Sequence, residues 1–135
     1  MKLLKIKYSE LNGKQKEIFN FQKVAAELAD FGFNCIKLAD DWQGADFLAY
    51  HKDGGDTLKV QLKARLTIDE KYIGKNIFMT FPYNDNWYLI HHEELVEIIG
   101  NNSNWLETDS WKNKGLYSSA NPSKRIMEAI NHAKL

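Results

Sequence analysis

Gly44-Ala45-Asp46-Phe47-Leu48-Ala49, followed after a glycine-rich gap by Leu58-Lys59-Val60-Gln61-Leu62-Lys63-Ala64-Arg65, is the stretch on which the reading of this chain turns. Alternate residues of a β-strand share a face, so Lys59, Gln61, Lys63 and Arg65 stand together, opposite Leu58, Val60, Leu62 and Ala64. The apolar row suits a core and the other row suits a polyanion or a metal. An ordinary amphipathic strand with a solvated basic face has the same alternation. Asp46 adds chemistry to the pattern: an acid opening one strand, then a polar residue and a lysine two apart on the next, outline a metal-and-lysine site for phosphodiester chemistry.

Outward from that stretch, the composition bounds the chain. Its 135 residues suffice for one domain with a real core, and 44% hydrophobic with 13% aromatic residues argue for a packed globule over a disordered chain. Lys and Arg balance Asp and Glu at 18 each, so the chain as a whole is not a basic nucleic-acid binder. Any such affinity comes from local clustering. One cysteine, Cys35, excludes an internal disulfide and a cysteine-rich zinc site, and reads as a small buried hydrophobe. Met1-Lys2-Leu3-Leu4-Lys5-Ile6-Lys7 is too short and too often broken by lysine for a signal peptide, and no long apolar run follows. A soluble protein of the reducing cytoplasm is expected, with no membrane contact.

The element order is that of an α/β domain. Helical spacing runs from Gly13 to Asp30 and stops at Gly32. With Phe21 as origin, Val24, Ala25 and Leu28 fall within about 60° of it and Ile18 at the edge. Glu17 falls inside the same stripe, where an ionised carboxylate is costly unless it meets a cation, donors or a metal. Gln22, on the flank, is its rival for a site role.

Strands are expected at Asn34-Cys35-Ile36-Lys37-Leu38, at Asp46 to Tyr50, and at Thr57 to Leu66. A turn carrying Asp40 and Asp41 separates the first two, and the Lys52 to Asp56 turn joins the next pair. Two more strands lie at Asn76 to Phe81 and Trp87 to Ile90, before a helix from Glu93 to Ile99. Gly100 to Pro122 has little periodicity, and a closing helix capped by Ser123 carries Ile126, Met127 and Ile130 as its apolar side. The whole, 1–135, reads as one domain with a core at about 13–100 and an extension at about 101–135.

This order and these residues resemble the PD-(D/E)XK, or restriction-endonuclease-like, nuclease core over roughly Glu17 to Ile99. The resemblance implies a mixed central sheet flanked by helices and a site around one or two magnesium ions. Carried over by position, Asp46 is the strand-opening metal ligand, Gln61 takes the place of the second acid, Lys63 is the lysine, and Glu17 is the helix acid. The Leu62 backbone carbonyl is a further ligand, Mg²⁺ the expected ion with Mn²⁺ as substitute, DNA the substrate, and a 5′-phosphate end the product.

Two positions depart from the family pattern. Ala45 stands where the family has proline, a change without chemical consequence, whereas Gln61 removes a carboxylate. Glutamine at this place resembles the variant carried by cyanobacterial intron homing endonucleases. A unit charge about 4 Å from a divalent ion is worth nominally about 8 kcal/mol at an effective dielectric near 20, before desolvation. Another acid must therefore help, and Glu17 and Asp41 are the candidates. The competing reading is a decayed site on a nucleic-acid-binding or protein-interaction subunit.

Lys59, Arg65, Lys71 and Lys75 are the expected phosphate contacts, with solvated strand and loop positions as the plain alternative. Cutting both strands of a duplex commonly needs two sites, so a homodimer or larger assembly is in view. His91-His92 reads as a strand-to-helix junction, because adjacent residues diverge and no third ligand has metal-site spacing. Trp105, Trp111 and Tyr117, interleaved with lysines, read either as base-stacking groups or as an extension packed on the sheet.

Overall fold

The computed structural model describes the whole chain, Met1–Leu135. Helix α1 (Gly13–Ala29) begins at a reciprocal capping box in which Asn12 Oδ1 accepts from the Gln15 N–H and Gln15 Oε1 accepts from the Asn12 N–H. Gly32, at φ 86°, turns the chain away from it. Strands β1 (Phe33–Trp42), β2 (Ala45–His51) and β3 (Thr57–Leu62) form an antiparallel meander. The chain then crosses over through β4 (Leu66–Asp69) and a 3₁₀ turn, Glu70–Tyr72, to β5 (Ile77–Tyr83), which pairs parallel to β3. Strand β6 (Asn86–His91) returns antiparallel to β5 and leads into α2 (His92–Asn102). The sheet order is β1-β2-β3-β5-β6, a mixed five-stranded sheet with helices on both faces, as the element order implied.

Two cores result from the strand alternation. On one face Val24 and Leu28 of α1 meet Phe47, Ala49 and Val60. On the other, Ile77, Met79, Phe81, Tyr88 and Ile90 meet α2 through Leu95 and Ile99. This second core also takes in Trp105, Ile126 and Ile130, so the final third of the chain packs against the sheet. Strand β7 (Leu116–Ser119) pairs with β4, and helix α3 (Lys124–Ala129), capped by the Ser123 hydroxyl accepting from the Ile126 N–H, closes the layer. Trp105 is buried and packed on Tyr117 at 4.0 Å between ring centroids, which removes it from any base-stacking role.

Several local expectations are corrected. The third strand ends at Leu62, and Leu66–Asp69 is a separate strand that the alternation of residues 58–65 concealed. Asp40 and Asp41 belong to β1, and the turn after them is only Gln43-Gly44, both at positive φ as a tight hairpin requires. Gln61 does not stand on a solvated basic face: it lies opposite Met79 of β5 and is buried. Cys35 is half-buried, and burial pushes its thiol up to about 11, so it stays protonated at neutral pH. No helix is long and apolar enough to cross a membrane.

His91 and His92 do stand at the junction of β6 and α2. The His92 ring is fully buried, with Nε2 accepting from the Asp69 N–H at 3.1 Å and Nδ1 3.4 Å from Glu93 Oε1. Burial holds its pKa below the ordinary value and outweighs the opposing pull of Glu93 and Asp69. The unfolded chain takes up this proton near pH 6.5 and the folded protein only at lower pH, so stability is full above about 6.5 and falls as the pH drops beneath it. Urea midpoints at pH 7.5 and 5.5 are expected to show that fall, and His92→Asn to reduce it. An equal fall in both proteins would assign the sensitivity to other groups.

Candidate active site

The site forms where β2 and β3 part. Their pairing runs to Phe47↔Val60. Beyond that pair the Leu62 N–H donates to Asp46 Oδ2 at 2.9 Å, and the Lys63 N–H donates to the Thr80 carbonyl on the other side. The Asp46 carboxylate thus replaces a strand-ladder partner at the point of divergence. Gln61 is 6% exposed, and its Oε1 is the one buried side-chain polar atom with no hydrogen-bond partner. Leaving such a group unpaired costs about 1–3 kcal/mol, so an unpartnered acceptor calls for a reason. The Lys63 ammonium lies 5.7 Å from the centroid of the Tyr72 ring, which forms a floor beneath it.

A cleft of about 520 Å³ opens here, lined by Asp46, Gln61, Leu62 and Lys63 from the sheet, Asp41 from β1 and Glu17 from α1. Asp46 is held above the ordinary carboxylate range, chiefly by burial. The Leu62 N–H opposes that shift, Asp41 adds to it, and Lys63 and Lys37 pull the other way. Gly44, in the hairpin before Asp46, approaches Tyr72 so closely that a Cβ there would lie 3.2 Å from Tyr72 Cδ1. Its φ of 89° favours glycine as well.

The structure therefore brings Asp46, Gln61, Leu62, Lys63 and Glu17 to one cleft, although not on equal terms. Glu17 is not buried: it sits on the first turns of α1, its side chain 64% exposed and ion-paired with Lys14 at 3.7 Å. Gln22 is exposed and lines no part of the cleft. Lys59, Arg65, Lys71 and Lys75 also lie outside it. Lys59 Nζ donates to Gln43 Oε1, Arg65 Nε to Ser118 Oγ, and Lys71 pairs with Asp69 at 3.8 Å while its ammonium lies 5.2 Å from the Tyr72 ring centroid.

Three residues at the site went unread in the sequence. Asn20 lies one turn before Val24 and two before Leu28 on the buried stripe of α1, and its Nδ2 donates to the Tyr8 hydroxyl at 3.0 Å. A polar residue at that spacing was a legible sign. Lys37 had no local sign, because β1 reaches the cleft only through tertiary pairing, and neither had Tyr72, which the crossover turn brings to the Lys63 ammonium from outside the cleft.

No protein-family model matches this chain, and no curated protein matches it. A solved structure resembles part of it. That structure is Hjc of Archaeoglobus fulgidus, a Holliday junction resolvase from an archaeal hyperthermophile, at 14% identity and a TM-score of 0.46. The similarity covers 58% of this chain and 74% of that one.

No group of three or more His, Cys, Asp and Glu side chains is placed to hold a metal. The donors at the parting of β2 and β3 are instead one carboxylate bound by a backbone N–H, an amide oxygen without a partner, and the neighbouring main chain. Magnesium takes hard oxygen donors and keeps several waters, so the unpartnered Gln61 Oε1 fits such an ion better than it fits a dry core.

Proposed function

We propose that this protein is a metal-dependent endonuclease acting on DNA, built on a restriction-endonuclease-like core and working in the cytoplasm. The observation that carries the reading is the buried, unpartnered Gln61 Oε1 in the same cleft as Asp46 and Lys63. Asp46, Gln61 and the Leu62 carbonyl would hold Mg²⁺ or Mn²⁺, with Glu17 at the rim of the cleft. The ion supplies Lewis-acid polarisation of the scissile phosphate and promotes ionisation of the attacking water. Lys63 orients that water or neutralises charge developing on the phosphoryl oxygens, with Tyr72 limiting where its ammonium can go. Asp46, tied to the Leu62 N–H, is held in place before the substrate arrives.

The second reading, a decayed site on a binding subunit, draws on the absence of a three-carboxylate cluster. Supercoiled plasmid and single-stranded DNA incubated with millimolar Mg²⁺ or Mn²⁺ separate the two. An active site gives nicked or linear product from the wild type. A decayed one gives none, and activity that emerges only in Gln61→Glu would mark the lost charge as the cause.

DNA affinity is expected to be weak and salt-sensitive, because phosphate contacts release counterions while the chain as a whole is neutral. Lys71 shares the Tyr72 ring with Lys63, which places its charge beside the site, and Lys75 is exposed a few residues on. Reversing both charges, Lys71→Glu with Lys75→Glu, should weaken binding severalfold and reduce the slope of log affinity against log salt by about two. Unchanged fluorescence anisotropy titrations would move the DNA surface elsewhere. Two-strand cleavage commonly uses two sites, which with this single cleft means two copies of the chain.

A further inference from the structure

We propose that Asp41 is the second carboxylate of the cation site, entering from β1 to supply the charge that Gln61 leaves absent on β3. The inference rests on the metal-dependent reading above. The β1–β2 hairpin turns at Gln43-Gly44, and Trp42 pairs with Ala45 across it. One residue outward on each strand stand Asp41 and Asp46, and both line the cleft. The next recorded pair is Lys37↔Phe47, so the four β1 residues 38–41 stand against the single β2 residue 46. A bulge of this kind bends its strand and re-aims side chains, here at the mouth of the site.

A nearby like charge disfavours ionisation, and the charge of Asp41 is felt at Asp46. An independent sign points to the same place. Gln61, 6% exposed, lines this cleft and carries an oxygen that no group of the protein satisfies. A hard divalent cation among Asp41, Asp46 and Gln61 relieves the repulsion and pairs the amide oxygen together. Of the other acids lining the cleft, Glu17 is already paired with Lys14 and reaches solvent, and Asp40, unlike Asp41, is not among the charges felt at Asp46.

The test is Mn²⁺ binding without substrate, followed by isothermal titration calorimetry and by the electron paramagnetic resonance signal of free Mn²⁺. Asp41→Asn is expected to weaken binding at least about tenfold, since it removes a full charge from beside a divalent ion. Glu17→Gln should weaken binding far less than Asp41→Asn does. The double variant Asp41→Asn with Gln61→Glu should recover most of the affinity, because it returns the charge to β3. Asp41 and Glu17 are exposed, so the single variants there keep the fold, and Asp41→Ser repeats the measurement with a smaller side chain. Gln61 is buried, so the double variant is read beside its thermal unfolding. Wild-type affinity in Asp41→Asn, with binding lost in Asp46→Asn, would overturn this inference and leave the metal-dependent reading standing. A wild-type protein that takes up no Mn²⁺ would overturn both.

Discussion

Replacing Asp46 by alanine is expected to reduce metal-dependent DNA cleavage by at least about two orders of magnitude. A carboxylate about 4 Å from a divalent ion contributes nominally about 8 kcal/mol at an effective dielectric near 20, and even a third of that after desolvation is about a hundredfold. Alanine also frees the Leu62 N–H, loosening the junction where β2 and β3 part. The fold should survive. The folded-state pKa of Asp46 is raised, so its ionised form counts against the native state at pH above about 4. Asp46→Asn, which retains an acceptor for the Leu62 N–H, should therefore melt no lower than wild type at pH 7 without metal while losing cleavage. Plasmid cleavage followed under single-turnover conditions, beside thermal unfolding of both variants, is the measurement. Cleavage that persists in Asp46→Ala would show that the wrong acid has been named.

Phe47→Ala should be the most destabilising single change near the site, at about 3–5 kcal/mol. Phe47 is fully buried between α1 and the sheet, and its ring meets Phe21 edge to face at 5.1 Å. The loss combines transfer free energy with the cavity left between two elements that cannot both close on it. Against a typical total stability of about 5–15 kcal/mol, that is a large fraction. Since Phe47 follows Asp46 directly and forms the last β2–β3 pair before the strands part, the variant should also bind Mn²⁺ more weakly. Urea unfolding followed by tryptophan fluorescence gives the first quantity. A change under about 1 kcal/mol would mean that the cavity collapses, and that the clamp of α1 on the sheet lies elsewhere.

The elements most legible in the sequence were those set by short-range physics. Asn12 and Gln15 cap α1 within one turn, Gly32 frees its end, and Ser123 caps α3, all through contacts within a few residues. Strict alternation placed Val60 on a core face, and the structure seals it under α1 together with Phe47. Expectation failed where the partner lies far along the chain. The Leu66–Asp69 strand exists because residues 116–119 pair with it, a partner some fifty positions away that no local pattern announces.

The site divides in the same way. From residue type and spacing alone the chain determined that an acid, an amide and a lysine would gather across one hairpin, because register brings the start of β2 beside the end of β3. What each of them experiences was decided by tertiary structure. Gln61 is buried because β5 lies beside β3 and the second core covers that face, so the amide on the polar row becomes an acceptor in need of a partner. Glu17 shares the azimuth of the buried stripe, yet it reaches solvent because the first turns of α1 overhang the cleft. Asp41 stands at the site because four residues of β1 oppose one of β2, a mismatch visible only once the strands are paired. Periodicity sets which way a side chain points, and burial, which fixes its electrostatic environment, depends on neighbours that the fold brings from elsewhere in the chain.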